Sequence, residues 1–204
     1  MENTEIVCII DRSGSMQEIR DDAIGSFNAF LEEQQKIGDE ALVTVVLFDD
    51  QYELIYNAAK LSKVQPFSTT TYIPRGTTAL YDAIGRTIAA IDARHPEAKT
   101  GNANENVTIA ILTDGHENSS REFDREQILE LIEKRSKTKG WDFIYLSADP
   151  KAFDTARAIG IYRDKVLFFS KDPDGIKGAY NSISRGMEAK RRRGKLEDWK
   201  NGYS

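Results

Sequence analysis

The sequence predicts a single α/β domain: a doubly wound, mostly parallel sheet with one antiparallel edge strand and helices on both faces. Three observations predict it. Apolar runs at residues 6–10 and 107–112 are continuous rather than alternating, as strands covered on both faces require. Between such runs lie segments whose apolar residues recur at steps of three and four, the spacing of a helix with one buried stripe. Two further runs, 43–48 and 52–56, are joined only by Asp49-Asp50-Gln51, enough for a hairpin and too short for a crossover helix.

Each element has its own signal. Ile6-Val7-Cys8-Ile9-Ile10 reads as the central strand. Ile19, Ala23, Phe27, Phe30 and Leu31 then mark an amphipathic helix over roughly residues 17 to 36, with Gly38 as its stop. After the hairpin, a polar segment carrying Pro66 and Pro74 leads into Leu80, Ile84, Ile88 and Ile91 at helical spacing, ending near His95-Pro96. Residues 99–106 are polar and read as a loop, and 107–112 form the next buried strand. Asp124 and Gly140 bracket a helix as N-cap and terminator. Residues 142–146 make another strand, Asp149-Pro150 opens a short helix ending at Gly160, 166–169 is the last strand, and a helix begins near Pro173.

The counts bound the function classes. With 204 residues the chain holds one well-buried core, and 40% hydrophobic with 30% charged residues is the balance of a globular protein. No apolar run is long enough to span a bilayer, and the opening MENTEIVCIID lacks the basic-then-apolar pattern of a signal peptide. The one cysteine, Cys8, has no internal disulfide partner and sits in an apolar run, so a cytoplasmic location is expected. A net charge of −5 offers no general attraction for nucleic acid. From residue 187 onward, however, six basic residues (Lys190, Arg191, Arg192, Arg193, Lys195, Lys200) face three acidic ones, so the expected organisation is a domain over 1–186 and a basic tail over 187–204.

The chemistry concentrates at predicted strand ends. Asp11-Arg12-Ser13-Gly14-Ser15-Met16 follows the central strand, Thr113-Asp114-Gly115 follows another buried strand, and Arg75-Gly76-Thr77-Thr78-Ala79-Leu80 enters a helix. Open α/β sheets collect ligands at the carboxyl ends of their strands. Two carboxylates and three hydroxyls form an all-oxygen set, suited to a hard cation such as Mg²⁺ and poor for metals that prefer sulfur or imidazole.

On these motifs, over roughly residues 5 to 170, the chain resembles the von Willebrand factor A (vWA) family, whose metal-ion-dependent adhesion site (MIDAS) combines Asp-x-Ser-x-Ser, a Thr before a helix and an Asp after a later strand. The resemblance implies a Rossmann-like fold and a metal site of Asp11, Ser13, Ser15, Thr78 and Asp114. Ser13, Ser15 and Thr78 would be direct ligands, with the aspartates acting through water. Where many relatives have Gly-Gly-Thr, this chain has Gly76-Thr77-Thr78. The Ala79-Leu80-Tyr81-Asp82 that follows favours Thr78, and Thr77 is the other candidate. The resemblance further implies a non-enzymatic protein-binding module in which Mg²⁺, or Mn²⁺, is completed by an acidic residue of a partner, with AAA+ ATPases one partner class.

Other readings compete. Asp-x-Ser-x-Ser alone can be a helix-capping turn, and Asp-Gly a plain turn. A metal-dependent phosphohydrolase would use Asp11 as nucleophile, but such enzymes place a second acid two positions on, where this chain has Ser13, and need a basic residue that no motif supplies. His116 reads as a partner contact or solvated residue and His95 as a cap. Tyr72 and Arg75 are either a solvated loop or rim contacts for a partner. The tail is either a solvated helix end or a nucleic-acid arm, with Trp199 able to stack on a base or anchor to a protein.

Overall fold

The computed structural model describes residues 4–38, 41–94, 106–196 and 199–200. Among these residues six strands and five α-helices follow in the order β1 (Glu5–Asp11), α1 (Arg20–Ile37), β2 (Leu42–Phe48), β3 (Tyr52–Lys60), α2 (Leu80–Arg94), β4 (Val107–Thr113), α3 (Arg125–Lys139), β5 (Asp142–Ser147), α4 (Ala152–Ala158), β6 (Val166–Phe168) and α5 (Pro173–Arg193). The strands form one sheet in the order β3-β2-β1-β4-β5-β6. Every pair is parallel except β2 with β3, the antiparallel edge that the three-residue connection requires. Strand order reverses between β1 and β4, so the crevice of a doubly wound sheet opens at their carboxyl ends.

The two faces of β1 explain its unbroken apolar run. Ile6, Cys8 and Ile10 pack with Phe27, Phe30 and Leu31 of α1 and Ile176, Ala179 and Ile183 of α5. Val7 and Ile9 face the other way, into a layer with Leu80, Ile84 and Ile88 of α2, Ile128 and Ile132 of α3, and Ala152 and Ala156 of α4. Burial on both faces leaves no room for polar alternation.

Local signals place the ends. Asp124 caps α3 by accepting from the Gln127 amide at 2.9 Å, the Gln127 side chain reaches back to the Asp124 amide at 2.9 Å, and Gly140 closes the helix in the left-handed conformation. The first helix departs from expectation, because residues Gly14–Ile19 form a 3-10 turn and α1 itself begins at Arg20. That tighter turn follows directly from the Asp-x-Ser-x-Ser segment and buries Met16 and Ile19. His95 and residues 99–105 lie outside the described residues.

The carboxyl-terminal segment is woven into the domain. Helix α5 runs without a break through Arg193, with Met187 and Lys190 buried and Gly194 closing it at φ 72°. Lys190 donates to Asp142 Oδ2 at 2.6 Å, Arg191 to the carbonyls of Gln34 (2.8 Å) and Gly38 (2.6 Å), and Lys200 to the Arg163 carbonyl at 2.6 Å. Arg192 pairs with Glu188 at 3.0 Å, one helical turn away. Trp199, which could have stacked on a base or anchored to a protein, is 4% exposed. Its side chain lies over Gly186, where an added Cβ would come within 2.8 Å of Trp199 Cβ. Trp199 is thus folded into the chain's own core, because indole burial stabilises more than exposure does.

Candidate metal centre at the carboxyl end of the sheet

The candidate residues arrive on three loops at the strand-order reversal. Asp11 ends β1, Thr113 ends β4, and the loop before α2 carries Thr78. Asp11 is fully buried: its Oδ1 accepts the Ser13 amide at 2.6 Å and its Oδ2 accepts the Thr113 hydroxyl at 2.5 Å. It therefore ties the β1 loop to the β4 loop. Burial is the main reason its carboxyl is pushed up to about 6, against the lowering effect of these hydrogen bonds, and the nearby Asp114 charge raises it further.

Ser13 sits where a helix cap would, but its hydroxyl caps no amide. Instead Ser13 Oγ lies 3.1 Å from Ser15 Oγ, and Ser15 donates to Asp114 Oδ1 at 2.6 Å. The capping-turn reading of these serines is therefore not the arrangement seen. An added Cβ on Gly115 would fall 3.4 Å from Thr78 Oγ1 and 3.6 Å from Ser15 Oγ, so both hydroxyls border the space that glycine leaves open. Thr78 is buried, and Thr77 is exposed. Asp114 Oδ2 is buried without an aligned hydrogen bond among the described residues, its neighbour being the Lys171 ammonium at 2.8 Å.

These features suit a hard cation. The donors are hydroxyl and carboxylate oxygens, the aspartates stand behind the hydroxyls, and a missing side chain preserves the gap. Among the described residues no group of three or more His, Cys, Asp or Glu side chains forms a metal cluster, so any ion here relies on the hydroxyls.

Several contributors carry no motif of their own. Beside the site, Arg12 Nε and Arg75 Nε both reach Asp49 Oδ2, at 2.9 and 2.8 Å. Their outer nitrogens reach the two oxygens of Glu53, at 2.8 and 3.1 Å. Arg12 and Asp49 are buried, whereas Arg75 is about half exposed. This clamp sets the Thr78 loop, together with backbone bonds from Arg75 to Arg12 (2.8 Å), Gly14 to Gly76 (3.2 Å) and Ala79 to Asp49 (2.9 Å). Gly76 has φ 64°, and a Cβ there would collide with Asp50 Oδ1 at 2.0 Å, so glycine is required.

From the other side, Asn118 brackets Thr78, accepting its amide at 2.9 Å and donating its own amide to the Thr78 carbonyl at 3.0 Å. Glu117 and Ser120 accept the Tyr81 and Asp82 amides at the start of α2, at 3.0 and 3.1 Å. Thr113 could have been read from its place one residue before Asp114 at a strand end. Arg12, Asp49 and Lys171 depend on contacts between distant segments and leave no local signal.

Other expectations change with burial. Tyr72 is neither solvated nor a rim contact: it is 1% exposed and donates to the Asp11 carbonyl at 2.6 Å, because an aromatic beside β1 is better covered than wet. Arg75 is partly exposed but committed to the clamp. His116 is exposed, with Nδ1 2.7 Å from Asp149 Oδ2.

The von Willebrand factor type A domain family model matches residues 6–117, which include all five candidate residues. A search of curated proteins finds no match. Among solved structures, von Willebrand factor type A from Catenulispora acidiphila is 15% identical with a TM-score of 0.61, over 92% of this chain and 43% of that one. The vWF domain of the type V pili tip protein Mfa5 from Porphyromonas gingivalis is 11% identical with a TM-score of 0.63, over 97% and 99% of the two chains. Proximal thread matrix protein 1 from the mussel byssus, with a zinc-occupied MIDAS motif, is 13% identical with a TM-score of 0.65, over 90% and 47%. The chain therefore spans less than half of two of these relatives, and at such identities the likeness shows the fold. The six-stranded sheet together with the sequence match over 6–117 establishes that this chain belongs to the von Willebrand factor type A domain family.

Proposed function

We propose that the chain is a non-enzymatic interaction module that holds a divalent cation through Ser13, Ser15 and Thr78, with Asp11 and Asp114 behind them, and binds a partner whose acidic side chain completes the coordination. Mg²⁺ is the ion the oxygen set favours, and Mn²⁺ is the alternative. The observation that carries this reading is the opening beside Gly115, bordered by the Thr78 and Ser15 hydroxyls from two separate loops. A cation ringed mainly by neutral hydroxyls keeps excess positive charge and so attracts an anionic oxygen.

The phosphohydrolase reading loses support at Asp11. A nucleophile must present an oxygen to its substrate, and both Asp11 oxygens are buried and hydrogen-bonded. The nucleic-acid reading of residues 187–204 loses support as well, since Lys190, Arg191, Arg192 and Lys200 are engaged within the chain, with Arg193 and Lys195 exposed. No described helix is long and apolar enough to cross a membrane. The buried lone Cys8 suits a reducing cytoplasm, and an AAA+ ATPase is a partner class to test first.

The test is capture of partners from lysate by wild type in Mg²⁺, wild type in EDTA, and Ser15→Ala in Mg²⁺, read by mass spectrometry. Ser15→Ala is preferred to Asp11→Ala, which would also strip a buried link between two loops. A protein retained only in the first arm supports the metal bridge; the same proteins retained in all three overturn it.

A further inference from the structure

Lys171 projects from the connection between β6 and α5, remote in sequence from every motif of the metal centre, yet it ends on that centre. Its Nζ lies 2.8 Å from Asp114 Oδ2 and 3.1 Å from Glu18 Oε2. The Asp114 side chain is fully buried, whereas Lys171 is 30% exposed. The ammonium is thus held between two carboxylates beside the proposed cation site. Its backbone is anchored at once by the next residue, Asp172, which caps α5 by accepting the Gly175 amide at 2.7 Å.

The two oxygens of Asp114 are divided between tasks. Oδ1 accepts the Ser15 hydroxyl and thereby faces the site, while Oδ2 is matched by Lys171. The negative charge that Asp114 would contribute toward a divalent ion is largely compensated from within the chain. With Asp11 the other carboxylate close behind the hydroxyls among the described residues, a bound divalent ion keeps a net positive field toward solvent.

We propose that Lys171 is a specificity-determining residue of the metal centre: by neutralising Asp114 it weakens the hold on the cation alone and strengthens the hold of the loaded site on a carboxylate. This rests on the reading of the centre as a metal site, and the two effects have opposite signs. A lysine that merely stabilised the loop would, when removed, weaken both.

The probes are Mn²⁺ and acetate, followed by water-proton relaxation, which reads both the bound ion and the displacement of its exchangeable waters. Wild type, Lys171→Met and Lys171→Arg are compared in the full chain, with thermal melting as the check on folding. Lys171→Met should bind Mn²⁺ on the order of tenfold more tightly, the size expected from removing a nearby like charge in a partly solvated site, and should need several-fold more acetate to displace water. Lys171→Arg should behave as wild type. Equal Mn²⁺ affinity in wild type and Lys171→Met, or weakening of both affinities together, overturns the inference while leaving the metal reading intact. Absence of Mn²⁺ binding in all three folded proteins overturns the metal reading and this inference with it.

Discussion

Two acidic clusters share one end of the sheet and have opposite electrostatic designs. Around Asp49, two arginines meet two carboxylates, and the charge is settled within the protein. Around Asp11 and Asp114, carboxylates meet serine and threonine hydroxyls, and among the described residues Lys171 supplies the cation. The first cluster is a clamp and the second is the proposed receptor. A buried ion pair is costly to break, because the surviving charge has no solvent to turn to. A hydroxyl-lined site loses little when emptied and gains when an ion arrives.

The largest effect should come from breaking the clamp. Asp49→Ala leaves the buried Arg12 guanidinium without its main partner and should cost about 3–5 kcal/mol in urea denaturation. Asp114→Asn, with its partner Lys171 partly in water, should cost about 1 kcal/mol or less without metal. Equal costs would show that the two clusters do the same job.

Next comes ligand linkage. Mg²⁺ at about a hundred times its Kd should stabilise the wild type by about 2.7 kcal/mol, seen as a rise in Tm. Thr78→Val should abolish that rise and Thr77→Val should keep it; the reverse pattern would move the ligand to Thr77. Tyr72→Phe removes a buried hydrogen bond to the Asp11 carbonyl and should cost about 1 kcal/mol by the same denaturation assay, with the Mg²⁺ response retained.

The smallest effect sharpens the comparison at the opposite end of the sheet. Asp142 starts β5, where burial raises its carboxyl but the Lys190 hydrogen bond and the charges of Lys165 and Lys190 outweigh that and hold it below the usual range. Because its pKa is lower folded than unfolded, its contribution is full above the ordinary carboxylate value, about 4, and is lost as pH falls through the folded value. Asp142→Asn should therefore be less stable at neutral pH and lose less stability on acidification, measured by urea melts from pH 7 to pH 3. Parallel pH curves for the two proteins would show that the pair is idle.

Much of the fold was legible because burial on two faces writes an unbroken apolar run, as at Ile6 to Ile10, and a caps-and-glycine frame writes a helix, as at Asp124 and Gly140. The 3-10 turn after Ser13 was not legible, since its apolar residues Met16 and Ile19 also fit the period of the α-helix that follows. The burial of Trp199 was not legible either: sequence neighbours of a tryptophan say little about whether a glycine such as Gly186, across the fold, leaves room for it. At the site, the three motifs could be located because they sit at strand ends and a helix start, and the resemblance to the vWA family implied Asp11, Ser13, Ser15, Thr78 or Thr77, and Asp114 within them.

The sequence by itself determined the strand and helix alternation, the hairpin edge and the all-oxygen character of the candidate site. Those follow from periodicity, chain length between elements and side-chain chemistry, all of which are local. Only the tertiary structure decided that Thr78 rather than Thr77 turns inward, that Arg12 and Arg75 share Asp49, that Lys190, Arg191 and Lys200 bind the domain's own oxygens, and that Lys171 stands against Asp114. Each of these is a pairing across tens of residues, and charge compensation depends on distance in space, which the order of residues does not record.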